Sequence, residues 1–357
     1  MKEKVVVGMS GGVDSSVAAY LLQKKGYEVV GVTMQTMPDE MIKEGCGSAL
    51  AVNDAAKVAK SLCIEHHVVD FSKEFKCNVM DYFVNEYMAG RTPNPCNACN
   101  RHVKWEALLM WAEDNGADYI ATGHYARIDR LDNGRYAIRN SVTAGKDQTY
   151  ALYNLTQRQL SHTIMPVGEY EKSEIRKIAE EIGLDVASKP DSQDICFIPD
   201  GDYGSFIRNY GKEIVANGQF IDKEGNVLGA SKGYYNYTIG QRKGLGIAMG
   251  HPVFVTDIIP ENNQVVIGES EDLFRKNVIV SNVNFMALPK LSCGESADVV
   301  AKIRYSHKGA AARITMLGDG CMECKFEEPQ RAMTPGQALV CYKGEYVACG
   351  GTIIRSY

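Results

Sequence analysis

Residues 4–15 read Lys-Val-Val-Val-Gly-Met-Ser-Gly-Gly-Val-Asp-Ser, and this stretch decides the fold of the first part of the chain. Its valines predict a buried strand over residues 4–9, and the apolar residues spaced along 14–25 predict a helix. Two adjacent glycines, Gly11 and Gly12, fall at the turn between strand and helix. Backbone N–H groups can surround an anion at such a turn, so the stretch predicts a phosphate site at the end of a strand.

The alternation of strand and helix continues beyond this first unit. Apolar patterns and turn residues predict strands over 29–34, 67–71 and 119–122, and helices over 50–62, 75–89, 105–115 and 173–181. Strands that alternate with helices form a parallel sheet covered on both faces, so the pattern predicts a doubly wound α/β domain. Around Asp132-Asn133-Gly134, two arms of alternating polarity predict a hairpin with a type I′ turn inserted in that layer.

Beyond about residue 210 the pattern changes to short strands separated by turns. Strands are predicted over 234–239, 253–259, 264–267, 297–305, 312–317, 321–326 and 338–348. We therefore expect an α/β N-terminal domain over 1–204, a small, mainly β central domain over 205–274 and a C-terminal β-barrel over 275–357. No repeat of fixed period is evident, which disfavours solenoids and propellers.

A chain of 357 residues exceeds one typical domain, so we expect two or three domains. A soluble multidomain enzyme is the expected class. No apolar run approaches the roughly 18 residues of a membrane helix, and the start Met1-Lys2-Glu3-Lys4 is not that of a signal peptide. We expect no membrane association and a cytoplasmic location. The 11 cysteines, an odd number spread along the chain, predict reduced thiols and no disulfide framework.

The net charge of −5 by itself favours a small-molecule substrate over nucleic acid, although it does not exclude a local basic face. A group of basic residues with few acidic residues between them is a candidate for such a face: Arg127, Arg130, Arg135, Arg139 and Lys146. A solvated hairpin surface explains the same residues equally well.

The glycine turn is not a Walker A loop, because no Lys-Ser or Lys-Thr follows it, and its spacing does not fit the dinucleotide fingerprint. It resembles the pyrophosphate loop (PP-loop) of the adenine nucleotide α-hydrolase type, whose enzymes split ATP into AMP and pyrophosphate. The resemblance implies that ATP, with Mg²⁺, is bound by Gly8, Met9, Ser10, Gly11, Gly12, Val13, Asp14 and Ser15, with Met34 and Gly123 bordering the adenosine. The alternative interpretations are a tight turn for the glycines and a core methionine for Met34.

Residues 91–100 read Arg-Thr-Pro-Asn-Pro-Cys-Asn-Ala-Cys-Asn, and their two prolines delay the predicted helix until about Cys99. Near a helix N-terminus, the pKa of the Cys99 thiol should fall below its free value of about 8.5, which favours the reactive thiolate. Three basic residues that follow should reinforce this effect: Arg101, His102 and Lys104. A packed loop cysteine is the alternative.

A second cysteine, Cys196, lies in the polar stretch 191–199, Asp-Ser-Gln-Asp-Ile-Cys-Phe-Ile-Pro. With the glycine turn and Gly-Arg-Thr-Pro-Asn-Pro, this stretch resembles the tRNA 2-thiouridylases of the MnmA type. The motifs recur in the same order along almost the whole chain. Three further stretches extend the match: Lys146-Asp147-Gln148, Tyr237 to Leu245 (Tyr-Thr-Ile-Gly-Gln-Arg-Lys-Gly-Leu) and Ile303-Arg304-Tyr305.

The resemblance implies a sulfurtransferase that acts on the wobble uridine in the anticodon loop of tRNA. ATP would adenylate the C2 oxygen, a poor leaving group, and AMP would then depart. Cys196 would accept sulfur as a persulfide from a donor protein. Cys99 would release that sulfur through a Cys99–Cys196 disulfide. Sulfide is the other implied sulfur source, as hydrosulfide bound to an iron–sulfur cluster.

The same resemblance implies which residues meet the RNA. Asn94, Pro95 and Cys96 are carried over to the target base, which must leave its stack to enter a pocket. The implied tRNA contacts elsewhere are Lys146, Asp147, Gln148, Arg304 and Tyr305. A polar turn and an exposed strand are the alternatives for these residues, and the stretch 237–245 has a β-turn as its alternative and an open role.

The chain departs from the family pattern at Cys96, where well-known members have an aspartate. Cys96, Cys99 and Cys196 together offer three thiolates, enough for a [4Fe-4S] cluster with one open iron that could bind hydrosulfide. A structural zinc site that adds His102 is a further interpretation. Cys321 and Cys324 form a second Cys-x-x-Cys pair, but in a strand they point to opposite faces, so we expect a structural role.

Two other classes of function remain open at this point. A PP-loop small-molecule ligase or amidating enzyme would explain the first domain but not Cys99 and Cys196. A non-enzymatic RNA-binding module would explain the β domains but not the nucleotide loop. Dependence of ATP consumption on tRNA separates the three.

Overall fold

The computed structural model describes residues 2–38, 41, 47–188, 195–210 and 217–357. The segment 191–194 of the second cysteine motif lies outside the described residues. Within them, the strands form three sheets, of five, four and eight strands.

The first sheet is parallel throughout, in the order β3-β2-β1-β4-β7. Its strands are β1 (Lys4–Gly8), β2 (Glu28–Gln35), β3 (Glu65–Asp70), β4 (Tyr119–Ala121) and β7 (Thr163–Ile164). Val5 and Val7 pack into one core and Val6 into another, on opposite faces of the sheet. The predicted doubly wound α/β domain is therefore confirmed.

The helices around this sheet cover both faces. They are α1 (Val13–Lys24), α2 (Gly47–Ser61), α3 (Ser72–Phe75), α4 (Asp81–Met88), α5 (Pro95–Cys99), α6 (Leu108–Asp114), α7 (Gln157–Ser161), α8 (Lys172–Glu181) and α9 (Tyr203–Asn209). π-helical turns at Lys76–Met80 and Asn100–Ala107 join α3 to α4 and α5 to α6, so each pair is one continuous helix.

The helix that carries Cys96 and Cys99 begins at Pro95, so the prediction of a start near Cys99 was wrong. Asn94 is its N-cap, and its side-chain oxygen accepts a hydrogen bond from the Cys96 N–H at 3.1 Å. Proline is tolerated at the first helical position because its missing N–H would have no partner there in any case. Pro95 therefore starts this helix and does not delay it.

The predicted hairpin is present as β5 (Ala126–Arg130) and β6 (Tyr136–Asn140), but its turn and its place in the fold differ from the prediction. Five residues connect the strands, and of the connection only Gly134 has a positive φ, whereas a type I′ turn requires two such residues. The hairpin also leaves the parallel sheet. It joins the sheet of the barrel, where Tyr346 pairs with Arg139.

The central sheet has the order β10-β11-β8-β9, formed by β8 (Gly218–Ile221), β9 (Val227–Ser231), β10 (Phe254–Ile259) and β11 (Gln264–Gly268). The strand predicted over 234–239 is absent. Tyr234–Asn236 forms a short 3₁₀ turn instead, in which Tyr234 and Tyr235 are both buried.

The last six strands close into a barrel, since β12 pairs with both β15 and β17. They are β12 (Phe274–Phe285), β13 (Ser296–Lys302), β14 (Ala310–Met316), β15 (Met322–Arg331), β16 (Ala338–Lys343) and β17 (Tyr346–Ser356). Cys324 faces the barrel interior and is buried, as its predicted structural role requires. The predicted C-terminal barrel is confirmed.

Arginines of the candidate basic face hold the hairpin to neighbouring parts of the chain. Arg135 donates to the carbonyl oxygens of Met286 and Phe285, at 2.7 and 2.6 Å. Arg127 is within 4 Å of Glu169 and Glu345. These guanidinium groups serve contacts within the protein, so the charge pattern overstated the basic surface. Among the described residues, no helix is long and apolar enough to span a membrane.

Candidate active site

The glycine turn lies at the point where the order of the parallel sheet reverses. β1 has β2 on one side and β4 on the other, and the chain reaches β4 only after completing β3. In open α/β sheets, ligands bind outside the carboxyl ends of the strands at such a switch point. Gly8 ends β1 and Gly123 follows β4, so both border this position.

Two glycines of this region fit only without a side chain. Gly11 has φ +67°, and a Cβ there would lie 2.5 Å from the Ala51 carbonyl oxygen. A Cβ on Gly123 would lie 2.5 Å from the Ser15 backbone nitrogen. The loop is thus packed closely against α2 and against the segment after β4, which fixes the backbone where the phosphate is predicted to bind.

The start of α1 is held by serine side chains. Gly12 is the N-cap residue with extended backbone, and its carbonyl accepts from the Ser16 hydroxyl at 2.8 Å. Ser10 N–H donates to the Ser15 hydroxyl at 3.2 Å. Met34 packs against Gly8 and the adjoining core, so it both borders the predicted nucleotide site and acts as the core methionine of the alternative interpretation.

The sequence did not reveal the partners of Asp14. Lys172, at the start of α8, places its Nζ 2.7 and 2.8 Å from the two carboxylate oxygens, and the Tyr125 hydroxyl donates to one of them at 2.7 Å. Lys172 also lies over the Tyr125 ring, 5.5 Å from its centre. The loop carboxylate is therefore balanced by a largely buried cation. Because 158 residues separate the pair, no local pattern could have indicated it.

One helix links the nucleotide loop to the cysteines. Leu108 lies on the continuous helix that carries Cys96 and Cys99, and its Cδ2 would be 3.4 Å from a Cβ on Gly8. A helix rises about 1.5 Å per residue, so the cysteines lie roughly 14–18 Å along the helix axis from that contact. Cys96 is exposed and Cys99 partly buried.

The three predicted cysteines come together in space. The pKa of Cys196 is raised to about 12, first by burial of its sulfur and then by the negative charges that Cys99 and Cys96 would carry, while Lys104 opposes the rise. The residue as a whole is exposed, so the burial concerns the surroundings of the sulfur atom. Such charges act on Cys196 only over short distances, so the three cysteines lie near one another, and we call Cys96, Cys99 and Cys196 the thiol centre.

The predicted lowering of the Cys99 pKa was wrong. Burial raises the pKa of the Cys99 thiol, Lys104 lowers it in part, and the charge of Cys96 raises it further. Cys99 lies at the fifth position of its helix and not at the N-terminus, and the helix dipole acts mainly in the first turn. Arg101 is engaged with Gln159 and Glu106, and burial lowers the pKa of His102, so Lys104 remains as the cation that acts on the thiols.

The described residues contain no group of three or more His, Cys, Asp or Glu side chains arranged to hold a metal ion. The thiol centre has the right donor atoms for an iron–sulfur cluster, but its described arrangement does not fit one. The same holds for a zinc site that adds His102.

The two predicted groups of tRNA contacts meet across the boundary of the barrel. The Tyr305 hydroxyl donates to the Asp147 carbonyl oxygen at 3.0 Å, and its ring is half exposed. The Asp147 carboxylate accepts from the N–H groups of Ser141 and Thr149, so it shapes its own loop. Lys146 and Tyr305 are thus the members that offer exposed side chains.

The remaining predicted contacts are used within the protein. Gln148 accepts from the Tyr125 N–H at 2.8 Å, and Arg304 donates to the Arg331 carbonyl oxygen at 3.0 Å. Asn94 caps its helix, and Pro95 is buried beside it. Of the residues assigned to the target base, Cys96 is the exposed one.

Family models cover most of the chain. The model described as the tRNA methyl transferase HUP domain matches residues 3–200, the tRNA methyl transferase PRC-barrel domain matches 204–269, and the aminomethyltransferase beta-barrel domain matches 275–353.

Similar proteins extend over the full length. A protein of Lachnoclostridium phytofermentans described as tRNA-specific 2-thiouridylase MnmA is 58% identical over 358 residues, covering 99% of this chain and 100% of its own. A protein of Clostridioides difficile with the same description is 51% identical, covering 100% and 99%. A crystal structure of a 4-thiouridine synthetase–RNA complex with bound ATP is 21% identical over 58% of this chain and 50% of its own, with a TM-score of 0.36, too low to carry an argument.

Proposed function

The chain belongs to the family of tRNA-specific 2-thiouridylases of the MnmA type, and we propose that it uses ATP to place sulfur on C2 of the wobble uridine of tRNA. One observation carries the proposal beyond family membership: a single helix runs from the nucleotide loop, at Leu108, to the thiols Cys96 and Cys99. Activation by ATP and delivery of sulfur act on the same uridine, so both sites must be held in one framework, and this helix connects them. A small-molecule ligase has no use for the second site.

The first step is adenylation of the uridine. The C2 oxygen attacks the α-phosphorus of ATP, a new O–P bond forms, and the bond to the β-phosphate breaks to release pyrophosphate. Residues 8–15 and the N-terminus of α1 hold the phosphates through backbone N–H groups. Mg²⁺ would neutralise phosphate charge, and Asp14 is the carboxylate of the loop suited to hold it. Lys172 holds the Asp14 carboxylate in place through contacts with both of its oxygens.

The second step transfers sulfur. The terminal sulfur of a Cys196 persulfide attacks C2, and AMP leaves with the former C2 oxygen. The Cys99 thiolate then attacks Sγ of Cys196. The sulfur–sulfur bond of the persulfide breaks, its electron pair stays on the sulfur bound to C2, and a Cys99–Cys196 disulfide forms. A dithiol reductant must reduce this disulfide before the next turnover.

The alternative sulfur source is an iron–sulfur cluster on Cys96, Cys99 and Cys196, which would supply an open iron for hydrosulfide. The donor chemistry supports it, and the replacement of the family's aspartate by Cys96 supplies the third thiol. The described arrangement does not fit such a cluster, so the persulfide route is the mechanism we propose.

The proposal extends to the domains and the RNA. We assign ATP and the thiols to residues 1–204, a connecting role to 205–274 and tRNA docking to 275–357. Tyr305 and Lys146 present exposed side chains on adjoining surfaces, as a docking site for the anticodon stem requires. Stacking on an aromatic ring and contact with phosphate are the usual means of binding irregular RNA.

The test is thiolation of tRNA by anaerobically purified protein, with iron and acid-labile sulfide measured on the same sample. Iron-free protein that forms 2-thiouridine from a persulfide donor supports the mechanism above. Iron near four per chain, with activity on sulfide alone, replaces it with the cluster route. AMP formation at equal rates with and without tRNA contradicts the proposed function and favours the small-molecule ligase.

A further inference from the structure

Thr92, two residues before the helix cap Asn94, is held by parts of the chain far away in sequence. Its N–H donates to the Pro335 carbonyl oxygen at 2.8 Å, and its carbonyl oxygen accepts from Gln337 Nε2 at 2.8 Å. Its hydroxyl lies 3.2 Å from that of Thr238. Both backbone groups of Thr92 are therefore satisfied by the C-terminal barrel, and its side chain by the central domain.

The barrel side of this contact is a rigid turn. Gly336 has φ +89°, and a Cβ on it would lie 2.9 Å from the backbone of Thr92. The Gly336 N–H donates to the Ile353 carbonyl oxygen, and the Ile353 N–H donates to the Gln337 carbonyl oxygen, both at 2.8 Å. Ile353 is fully buried in the barrel core. The turn is thus anchored to the last strand and brings backbone against backbone where only glycine fits.

The central side of the contact belongs to the stretch 237–245, whose role the sequence left open. Thr238 N–H donates to the Gln241 side chain at 3.1 Å, and Gln241 N–H donates to the Thr238 carbonyl oxygen at 3.0 Å. A Cβ on Gly240, which has φ +88°, would lie 2.9 Å from Cβ of Ala332 in the barrel. This turn therefore touches Thr92 and the barrel together.

A displacement of Thr92 would also displace the start of the helix that carries Cys96 and Cys99. Only Pro93, with its fixed φ, separates Thr92 from Asn94, whose side chain caps the Cys96 N–H. On the other side, Arg91 is held by an ion pair with Glu86. Because the residues on both sides of Thr92 are constrained, the position of this segment depends largely on the contacts of Thr92.

We propose that the turns 238–241 and 335–337 form a clamp, with Gln337 and Thr238 as positioning residues. The clamp positions residues 92–99, the turn and short helix that carry Cys96 and Cys99, which we call the thiolation loop. The clamp ties the loop to the domain that we assign to tRNA docking, so its consequence for turnover rests on the proposed function. The effect of the clamp on the position of the thiolation loop does not depend on that function, because the contacts exist without substrate.

The first experiment is hydrogen exchange of the substrate-free protein, with Gln337→Ala and Thr238→Val compared with wild type. A hydrogen bond contributes about 0.5–1.5 kcal/mol, so exchange over residues 92–100 should become about 2- to 10-fold faster, with little change over 275–331. Gln330→Ala removes a carboxamide elsewhere on the barrel and should leave 92–100 unchanged. Thr238→Val keeps the side-chain shape, so it decides the matter if Gln337→Ala disturbs the barrel.

The second experiment measures tRNA thiolation by the same proteins. Both clamp variants should lower kcat by about 10-fold while KM for tRNA stays within about 2-fold, because the loop is misplaced and the docking surface is kept. Exchange over 92–100 that matches wild type in both variants overturns the clamp. Absence of thiolation in wild type would count against the proposed function alone, since the exchange result stands without it.

Discussion

Lys172 Nζ lies 2.7 Å from one carboxylate oxygen of Asp14 and 2.8 Å from the other, and its side chain is only 12% exposed. The pair joins the first turn of α8 to the first turn of α1, directly after the glycine turn. A partly buried, doubly contacted ion pair is costly to break, because the remaining charge loses its partner where water cannot replace it. The loop carboxylate therefore depends on Lys172 for its position.

Replacing Lys172 with Met should lower tRNA-dependent AMP formation by about 100-fold, since Asp14 would be misplaced at the proposed site of adenylyl transfer. Affinity for tRNA should change little. Lys177→Met is the matched control, because Lys177 lies exposed on the same helix and pairs with the exposed Glu181. AMP formation and tRNA binding, measured separately, check the prediction. Equal AMP formation in the two variants would show that the ion pair has no part in adenylation.

Replacing Cys196 with Ser should abolish 2-thiouridine formation while adenylation, followed by pyrophosphate release, continues. Cys99→Ser should allow sulfur to bind to Cys196 but stop its release to the base, because no thiolate attacks the persulfide. Mass spectrometry of the protein and of the digested tRNA distinguishes the two blocks. Cys293→Ser, at an exposed cysteine of the barrel, should behave as wild type. Full thiolation by Cys196→Ser would refute the assigned carrier.

The thiol centre should react slowly at neutral pH. Burial raises the pKa of Cys99 and raises that of Cys196 to about 12, so the thiolate fraction of both grows only as the pH rises above the ordinary thiol range. Alkylation by iodoacetamide should therefore still accelerate above pH 9, where an unperturbed thiol of pKa about 8.5 approaches its plateau.

Replacing Lys104 with Met should slow this alkylation further at any given pH. Lys104 lowers the pKa of both thiols, so its removal raises both and reduces the thiolate present. Peptide-resolved alkylation rates from pH 7 to 10 provide the measurement. Arg130→Met, an exposed cation on the hairpin, is the control. A faster rate in Lys104→Met would contradict the assigned electrostatic role.

Replacing Arg135 with Ala should lower the free energy of unfolding by about 2 kcal/mol, because two hydrogen bonds from a charged donor to the carbonyls of Phe285 and Met286 are lost. Denaturant unfolding measures the change, with Arg130→Ala as the comparison. If Arg135→Ala lowered the free energy of unfolding as little as Arg130→Ala, the guanidinium contacts would not stabilise the attachment of the hairpin to the barrel.

The sequence predicted what depends on neighbours in the chain. The valines of β1, the glycine turn and α1 follow from local pattern, and the structure has them in the expected places. The helix with Cys96 and Cys99 begins at Pro95 and not near Cys99 as predicted, because a proline that follows a capping residue is a good first residue of a helix. The strand predicted over 234–239 is wrong, because its tyrosines favour a strand only weakly and lie in a 3₁₀ turn here.

The features that local sequence patterns could not predict are contacts between residues far apart in the chain. The pairing of Asp14 with Lys172, the anchoring of Thr92 by Gln337, and the addition of the hairpin to the barrel each join residues more than 100 positions apart. The burial that raises the pKa of Cys99 is likewise a property of packing, so a dipole argument from the local helix reached the wrong sign.

The hairpin formed by β5 and β6 belongs to the sheet of the barrel, so the barrel and the preceding part of the chain depend on each other for stability. A fragment that ends before β12 would leave β6 with a bare strand edge and would strip Arg135 of both carbonyl acceptors. An unpaired strand edge can pair with other chains, so such a fragment should aggregate. Exchanging barrels between relatives will therefore give folded proteins only if residues 126–140 are exchanged together with the barrel.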